Sequence, residues 1–317
     1  MTSETTGPMN TTDTTDTTGP SETKATFYAI LGAPNVGKST LLNRFVGSKI
    51  SIVSPKVQTT RTRVLGIAMV DMAQLVFIDT PGIFTPQKRL DRAMVAAAWS
   101  GAGDADRVIM LIDAAKGIDS NTSTILDGLK KTKRQAILII NKVDLVEKTD
   151  LLMLASKLDQ TNLFTDTFMV SAETGDGVQQ LLEFLADLAP PSPWFFPEDQ
   201  ISDMPGRLLA AEITREKLFL QLHQELPYAA TVETESWETF DDGSVKIRQV
   251  IFIERSSQKA IILGKGGTRI KSLGEASRRE LEDILECKVH LFLFVKVREN
   301  WGNDPERYRD WGLDFNA

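Results

Sequence analysis

The chain is nearly devoid of cysteine: Cys287 stands alone among 317 residues. One thiol cannot close an intrachain disulfide, which fits a reducing compartment. Long apolar runs are missing as well, and none approaches the roughly 20 residues that span a bilayer. The first 25 residues lack the basic n-region and apolar h-region of a secretory signal, so a cytoplasmic protein is expected. Positive charge is in deficit: 36 Lys and Arg against 43 Asp and Glu leave a net charge of −7. As an average, that speaks against coating nucleic acid by bulk charge. Apolar side chains are plentiful, at 42 % of residues. At roughly 150 residues per domain, the length predicts about two domains, each able to bury its own core.

Texture along the chain divides it. Met1 to Lys24 holds ten threonines and almost nothing apolar. Such a segment cannot offset its ordering entropy by burial, so residues 1–25 are expected to be a disordered tail. From Thr26, near-continuous apolar runs (FYAIL, TRVLGIAMV, QLVFID, RVIMLID, QAILII, FTDTFMV) alternate with helical stretches such as Ser39–Phe45, Leu90–Trp99 and Val178–Leu188. That alternation predicts an α/β fold, a doubly wound and mostly parallel sheet over residues 26–189. TRVLGIAMV meets QLVFID through a short turn and is expected to be an antiparallel hairpin. Four prolines in Ala189–Pro197 then predict a stiff extended linker over 190–205. Residues 206–300 read as helix, two strands, two helices and a last strand, a smaller α+β domain, with 301–317 as a C-terminal tail.

Gly32-Ala33-Pro34-Asn35-Val36-Gly37-Lys38-Ser39 matches GxxxxGK[ST] between a predicted strand and a predicted helix. Glycines let the backbone curl so that successive N–H groups face phosphate oxygens at a helix N-terminus. Lys38 would add charge at the β- and γ-phosphates, and the Ser39 hydroxyl would reach Mg²⁺. Asp79-Thr80-Pro81-Gly82 ends the strand QLVFID, placing a carboxylate for the Mg²⁺ shell and the Gly82 amide for the γ-phosphate. Asn141-Lys142-Val143-Asp144 follows QAILII. A carboxylate at Asp144 accepting from N1 and the 2-amino group of guanine selects GTP over ATP. Ser171-Ala172-Glu173 would close over the base.

This ordered set resembles the guanine-nucleotide domain of translation-factor-class GTPases. The resemblance implies that Thr60, in Gln58-Thr59-Thr60-Arg61, is the switch I threonine that senses Mg²⁺ and γ-phosphate, with Thr59 as the alternative. It implies switch I near Ile50–Thr62, switch II near Thr80–Leu90, and nucleotide contact at Thr40. Catalytic roles fall to Lys38, Thr60, Asp79 and Gly82, and metal ligation to Ser39, Thr60 and Asp79. Where many relatives place a water-orienting glutamine after DTPG, this chain has Ile83, which cannot hydrogen-bond water. Slow intrinsic hydrolysis is expected. Asn35 resembles an asparagine that coordinates K⁺ in some relatives; a capping asparagine in a turn is the competing reading.

In the second domain, Gly264-Lys265-Gly266-Gly267 joins two predicted helices. Glycines there allow close approach to a nucleic-acid backbone. Arg255 to Arg279 carries seven basic residues against Glu275 alone, while Glu225 to Asp242 carries six acidic residues and no basic one. The average charge therefore hides a basic region around the loop, for which Lys265, Arg269 and Lys271 are the RNA-binding candidates. Ile261, Ile262 and Ile270 could line a base-reading groove or simply be core. The order and loop resemble a type II KH domain, and the pairing of the two domains, from about Thr26 to Trp301, resembles the Era family of bacterial ribosome-assembly GTPases. That resemblance implies a monomer that binds GTP and GDP and the 16S rRNA of the small ribosomal subunit near its 3′ end during 30S maturation. It also implies peripheral, reversible contact with the cytoplasmic face of the inner membrane. Competing readings are a tRNA-modification GTPase and an RNA-binding protein that uses GTP as a structural ligand. Only one NKxD occurs, which excludes tandem-G-domain ribosome GTPases.

Overall fold

The computed structural model describes residues 23–56, 59–222 and 226–317. Most of the expected tail, together with Val57, Gln58 and Glu225, lies outside the described residues. Strands β1 (Lys24–Gly32), β2 (Val64–Val70), β3 (Ala73–Asp79), β4 (Arg107–Asp113), β5 (Ala136–Asn141) and β6 (Phe164–Val170) form one sheet in the order β2-β3-β1-β4-β5-β6. Every neighbouring pair is parallel except β2–β3, the expected hairpin. The first strand starts earlier than the composition suggested. Lys24 and Ala25, assigned to the tail, belong to β1 because Lys24 pairs with Ala73 and the Ala25 amide donates to the Pro190 carbonyl.

Helices cover both faces, as continuously apolar strands require. On one face α1 (Lys38–Val46) and α5 (Val178–Asp187) pack Leu41, Phe45, Leu181 and Leu185 against Tyr28, Ile30 and Phe77. On the other, α2 (Arg89–Asp104), α3 (Ser120–Thr132) and α4 (Lys148–Asp159) pack Ala98, Ile125 and Leu158 against Leu31, Val76 and Leu138. The sheet thus holds the carboxyl ends of β1, β3 and β5, where the nucleotide motifs sit, along a single rim.

The proline-rich connector is extended, and it lies along the sheet edge. Gln74, fully buried, accepts the Phe195 and Phe196 amides at 2.8 and 3.0 Å and donates to the Phe196 carbonyl at 2.8 Å. Phe195 stacks on Phe27, and the Ile67 amide donates to the Ile201 carbonyl at 2.9 Å. Prolines cannot complete a ladder, yet this segment covers the edge strand β2 and shields its open groups.

Beyond it, α6 (Gly206–Gln221), β7 (Ala230–Thr239), β8 (Val245–Ile253), α7 (Ser256–Leu263), α8 (Thr268–Leu285) and β9 (Val289–Val297) follow the expected order. The sheet runs β7-β8-β9, antiparallel then parallel, with helices over one face. Residues 301–317 are a packed segment. A 3-10 turn at Trp301–Asn303 and α9 (Pro305–Asp310) bury Trp301, Tyr308, Trp311 and Leu313 against Ala93 and Met94 of α2. Alternating charges in this stretch mask the aromatic positions that fasten it.

Candidate functional site

A cleft of about 420 Å³ opens at the rim, lined by the P-loop, Ile52 to Pro55, Thr59, Thr60, Gly82, Lys142 and Glu173. Its floor is built by backbone that side chains would obstruct. Gly37 has φ 100°, and a Cβ there would lie 2.3 Å from Asn141 Nδ2. A Cβ on Gly82 would lie 2.9 Å from the Pro34 backbone, so only glycine lets the start of switch II meet the P-loop.

Lys38, buried at the start of α1, donates to the Gly32 and Ala33 carbonyls at 3.1 Å each. Burial lowers its pKa from 10.5 to about 8, against the opposing pull of Asp79. Ser39 Oγ lies 2.7 Å from Asp79 Oδ2 and 2.9 Å from Thr60 Oγ1. The other QTTR hydroxyl, on Thr59, turns back to the Lys56 carbonyl at 2.7 Å and to Ser54. Asp79 also accepts Ser51 Oγ at 2.9 Å, while its buried Oδ1 has no partner among the described residues. Burial raises the Asp79 pKa, and the Lys38 charge works against that rise. Three hard oxygens converging beside an unpaired carboxylate oxygen fit Mg²⁺. Among the described residues there is no cluster of three or more His, Cys, Asp or Glu that would compete for a softer metal.

The base end is held by Asn141, which donates to the Val36 carbonyl at 2.8 Å and accepts the Ala172 amide at 2.9 Å. Lys142 reaches the Asn35 carbonyl at 2.8 Å and Asp113 at 2.7 Å. Asp144 is exposed in a 3-10 turn, with no hydrogen bond or ion pair among the described residues. Its carboxylate is thus available to a base. The Ala172 amide is taken by Asn141, which ties the Ser171-Ala172-Glu173 loop to the end of β5. Ser171 is fully buried and accepts the Thr174 amide, and Thr80 donates to the Ile30 carbonyl at 2.7 Å. Asn35 has φ 62° and donates to the Pro55 carbonyl at 2.7 Å, tying the P-loop to switch I.

At the other site, Gly264, Gly266 and Gly267 all have positive φ, from 61° to 78°. A Cβ on Gly266 or Gly267 would meet nothing within 4 Å, so the loop surface is open. Lys265 and Lys271 are exposed, and Arg269 donates to the Ile261 carbonyl at 2.7 Å. Farther along α8, Arg278 and Arg279 pair with Glu282 and Glu275, so the uncompensated charge is concentrated near the loop. Ile262 is buried in the core and drops out as a groove residue, whereas Ile261 is 48 % exposed.

A family model described as a 50S ribosome-binding GTPase matches residues 27–142, and one described as a KH domain matches 225–302. GTPase Era of Sinorhizobium medicae is 60 % identical over 293 residues, covering 92 % of this chain and 94 % of the relative. The chain belongs to the Era family of GTPases. GTPase Era of Brucella suis is 57 % identical over 93 % of the chain and 94 % of its own length. A crystal structure of Era with MgGDPNP and nucleotides 1506–1542 of 16S ribosomal RNA matches with a TM-score of 0.86 and 38 % identity, covering 92 % of this chain and 99 % of that one. An Aquifex aeolicus Era variant bound to GDP·AlF4⁻ also matches at 0.86 and 38 %, over 91 % and 99 %.

Several residues that shape this Era-family site carry no motif. Arg44 of α1 donates to the Ala172 and Glu173 carbonyls, and Asp113 at the end of β4 anchors Lys142. Asp113 pairs in register with Asn141, and its place at the end of an apolar run is the sequence signal that could have exposed it. Ile83 is fully buried, with its amide on the Gly32 carbonyl, so its side chain serves the core.

Proposed function

We propose that this Era-family GTPase binds GTP and GDP in the 420 Å³ cleft and binds 16S rRNA through its KH domain during assembly of the 30S subunit. The observation carrying the proposal is the meeting of Ser39, Thr60 and Asp79 oxygens at the cleft in a chain that also presents an open, basic GKGG loop. Residues 26–189 would be the nucleotide-binding part, 190–205 the connector and 206–300 the RNA-binding part.

Phosphates would lie on the P-loop N–H groups from Asn35 to Thr40, with Lys38 turning from its two carbonyl contacts to face them. Ser39, Thr60 and Asp79 would hold Mg²⁺, which supplies charge neutralisation at the β- and γ-phosphates when bound. Gly82, freed of side-chain obstruction, offers its amide to the γ-phosphate. Asp144 would accept from guanine, while Asn141 fixes the distance between P-loop and base loop.

Ile83, directly after DTPG, is buried in the core and has no polar group to orient water. Intrinsic turnover is therefore expected to be slow and, with Asn35 as a K⁺ ligand, faster in KCl than in NaCl. Equal rates in the two salts would exclude the K⁺ role. For the RNA arm, Lys265→Asp with Arg269→Asp should weaken binding to a 16S 3′-end fragment. The same change should flatten the dependence of log K on log salt by about 0.7 for each phosphate no longer neutralised. An unchanged slope would place the RNA surface elsewhere.

A further inference from the structure

The segment that carries Thr60 leans on the KH domain as well as on its own. Ile52, 2 % exposed, packs with Ala210 and Ile213 of α6 and Leu281 of α8. Glu216 of α6 accepts the Val53 amide at 2.7 Å through one oxygen and Lys49 at 2.7 Å through the other. Next to it on α6, Arg215 donates from Nη2 to the Thr59 carbonyl, and its Nε holds Glu212 at 2.8 Å. The peptide gripped by Arg215 is the one that leads into Thr60. On the other side of that threonine, Arg61 is buried, with Nη1 3.2 Å from the Ala230 carbonyl and its guanidinium over the Trp301 ring.

Stability alone does not explain Arg215. A buried ion pair usually loses to apolar side chains of similar volume, because desolvation offsets the attraction. Arg215 Nη1 has no hydrogen-bond partner among the described residues, and neither has Arg61 Nε. Two buried donors left unsatisfied cost stability, so their retention calls for another explanation, and the geometry of the two arginines supplies one. What they impose is visible: the Thr60 hydroxyl sits 2.9 Å from Ser39 Oγ.

We propose that Arg215 is a positioning residue for the GTPase site. By holding the Thr59 carbonyl it fixes Thr60 beside Ser39, so the RNA-binding domain supplies one wall of the corner that takes Mg²⁺. This rests on the reading of the cleft as a GTP–Mg²⁺ site and deepens it.

The test is release of a fluorescent non-hydrolysable GTP analogue and of fluorescent GDP from the full-length protein, each with Mg²⁺ and with EDTA. Wild type should hold the triphosphate longer in Mg²⁺ than in EDTA, and Thr60→Ala should shrink that difference. Arg215→Met should speed triphosphate release in Mg²⁺ by about tenfold, the effect of one hydrogen bond from a charged donor. It should leave GDP release and release in EDTA unchanged. Added to Thr60→Ala, it should contribute nothing more, since both act on one oxygen. Because Arg215→Met strands Glu212, the double variant Arg215→Met with Glu212→Leu removes both charges and should show the same selective defect.

Wild-type triphosphate release in either variant would overturn the proposal while leaving the site intact, as would equal acceleration for GDP or full additivity with Thr60→Ala. A wild type indifferent to Mg²⁺ would overturn the reading of the cleft, and the proposal with it.

Discussion

Lys38 shows how a residue can be built for a ligand it is not yet touching. Burial lowers its pKa to about 8, and two backbone carbonyls stand in for the phosphate oxygens. A bound triphosphate favours the ammonium, so the lysine's pKa rises on binding. Below pH 8 the free side chain is already charged and affinity should be flat. Above it, binding must take up a proton, and Kd should rise by up to about tenfold per pH unit. Titration of nucleotide affinity from about pH 7 to 10, with calorimetry in buffers of different ionisation enthalpy, measures both effects. Constant affinity across that range would mean that Lys38 is not the phosphate ligand. At this scale the sequence was most legible, because P-loop chemistry demands particular residue types at fixed spacing. Arg44, Asp113 and Arg215 were illegible because they act through backbone carbonyls or another side chain, which many residues at many positions can do.

Among elements, the sheet followed directly from its apolar runs, since a strand covered on both faces leaves little choice of side chain. The connector and the C-terminal segment were harder to read. Proline content announced an extended chain between the domains, but nothing local announced that Gln74 would fasten it to the sheet edge. Gln74→Leu removes all three hydrogen bonds and leaves buried backbone groups unpaired. It should cost about 1–3 kcal/mol of stability and open Trp194–Gln200 to proteolysis. Urea denaturation and limited digestion check this; wild-type resistance to both would show that the edge contacts are incidental. The C-terminal segment illustrates the same limit, because Trp301, Tyr308 and Trp311 have a partner, α2, that lies about 200 residues earlier. No window along the chain contains that pairing.

For the whole molecule, net charge was the least informative quantity. The deficit of positive charge concealed an acidic strand region and a basic loop region in sequence proximity. The structure narrows the basic part further, because Arg278 and Arg279 are neutralised within α8 and Lys265 and Lys271 are left facing solvent. Between the two sheets, the Thr59–Thr60 segment is shared: its hydroxyl meets Ser39 at the cleft and its carbonyl meets Arg215 of α6. The account as a whole stands on guanine-specific, Mg²⁺-dependent hydrolysis, which single-turnover phosphate release tests most directly. Wild-type protein with bound nucleotide and Mg²⁺ should release phosphate slowly from GTP, not detectably from ATP, and not without Mg²⁺. Asp144→Asn should weaken GTP by about a hundredfold or more while accepting XTP, by exchanging an acceptor for a donor. Equal release from GTP and ATP, or no phosphate from GTP with RNA present, would contradict the account.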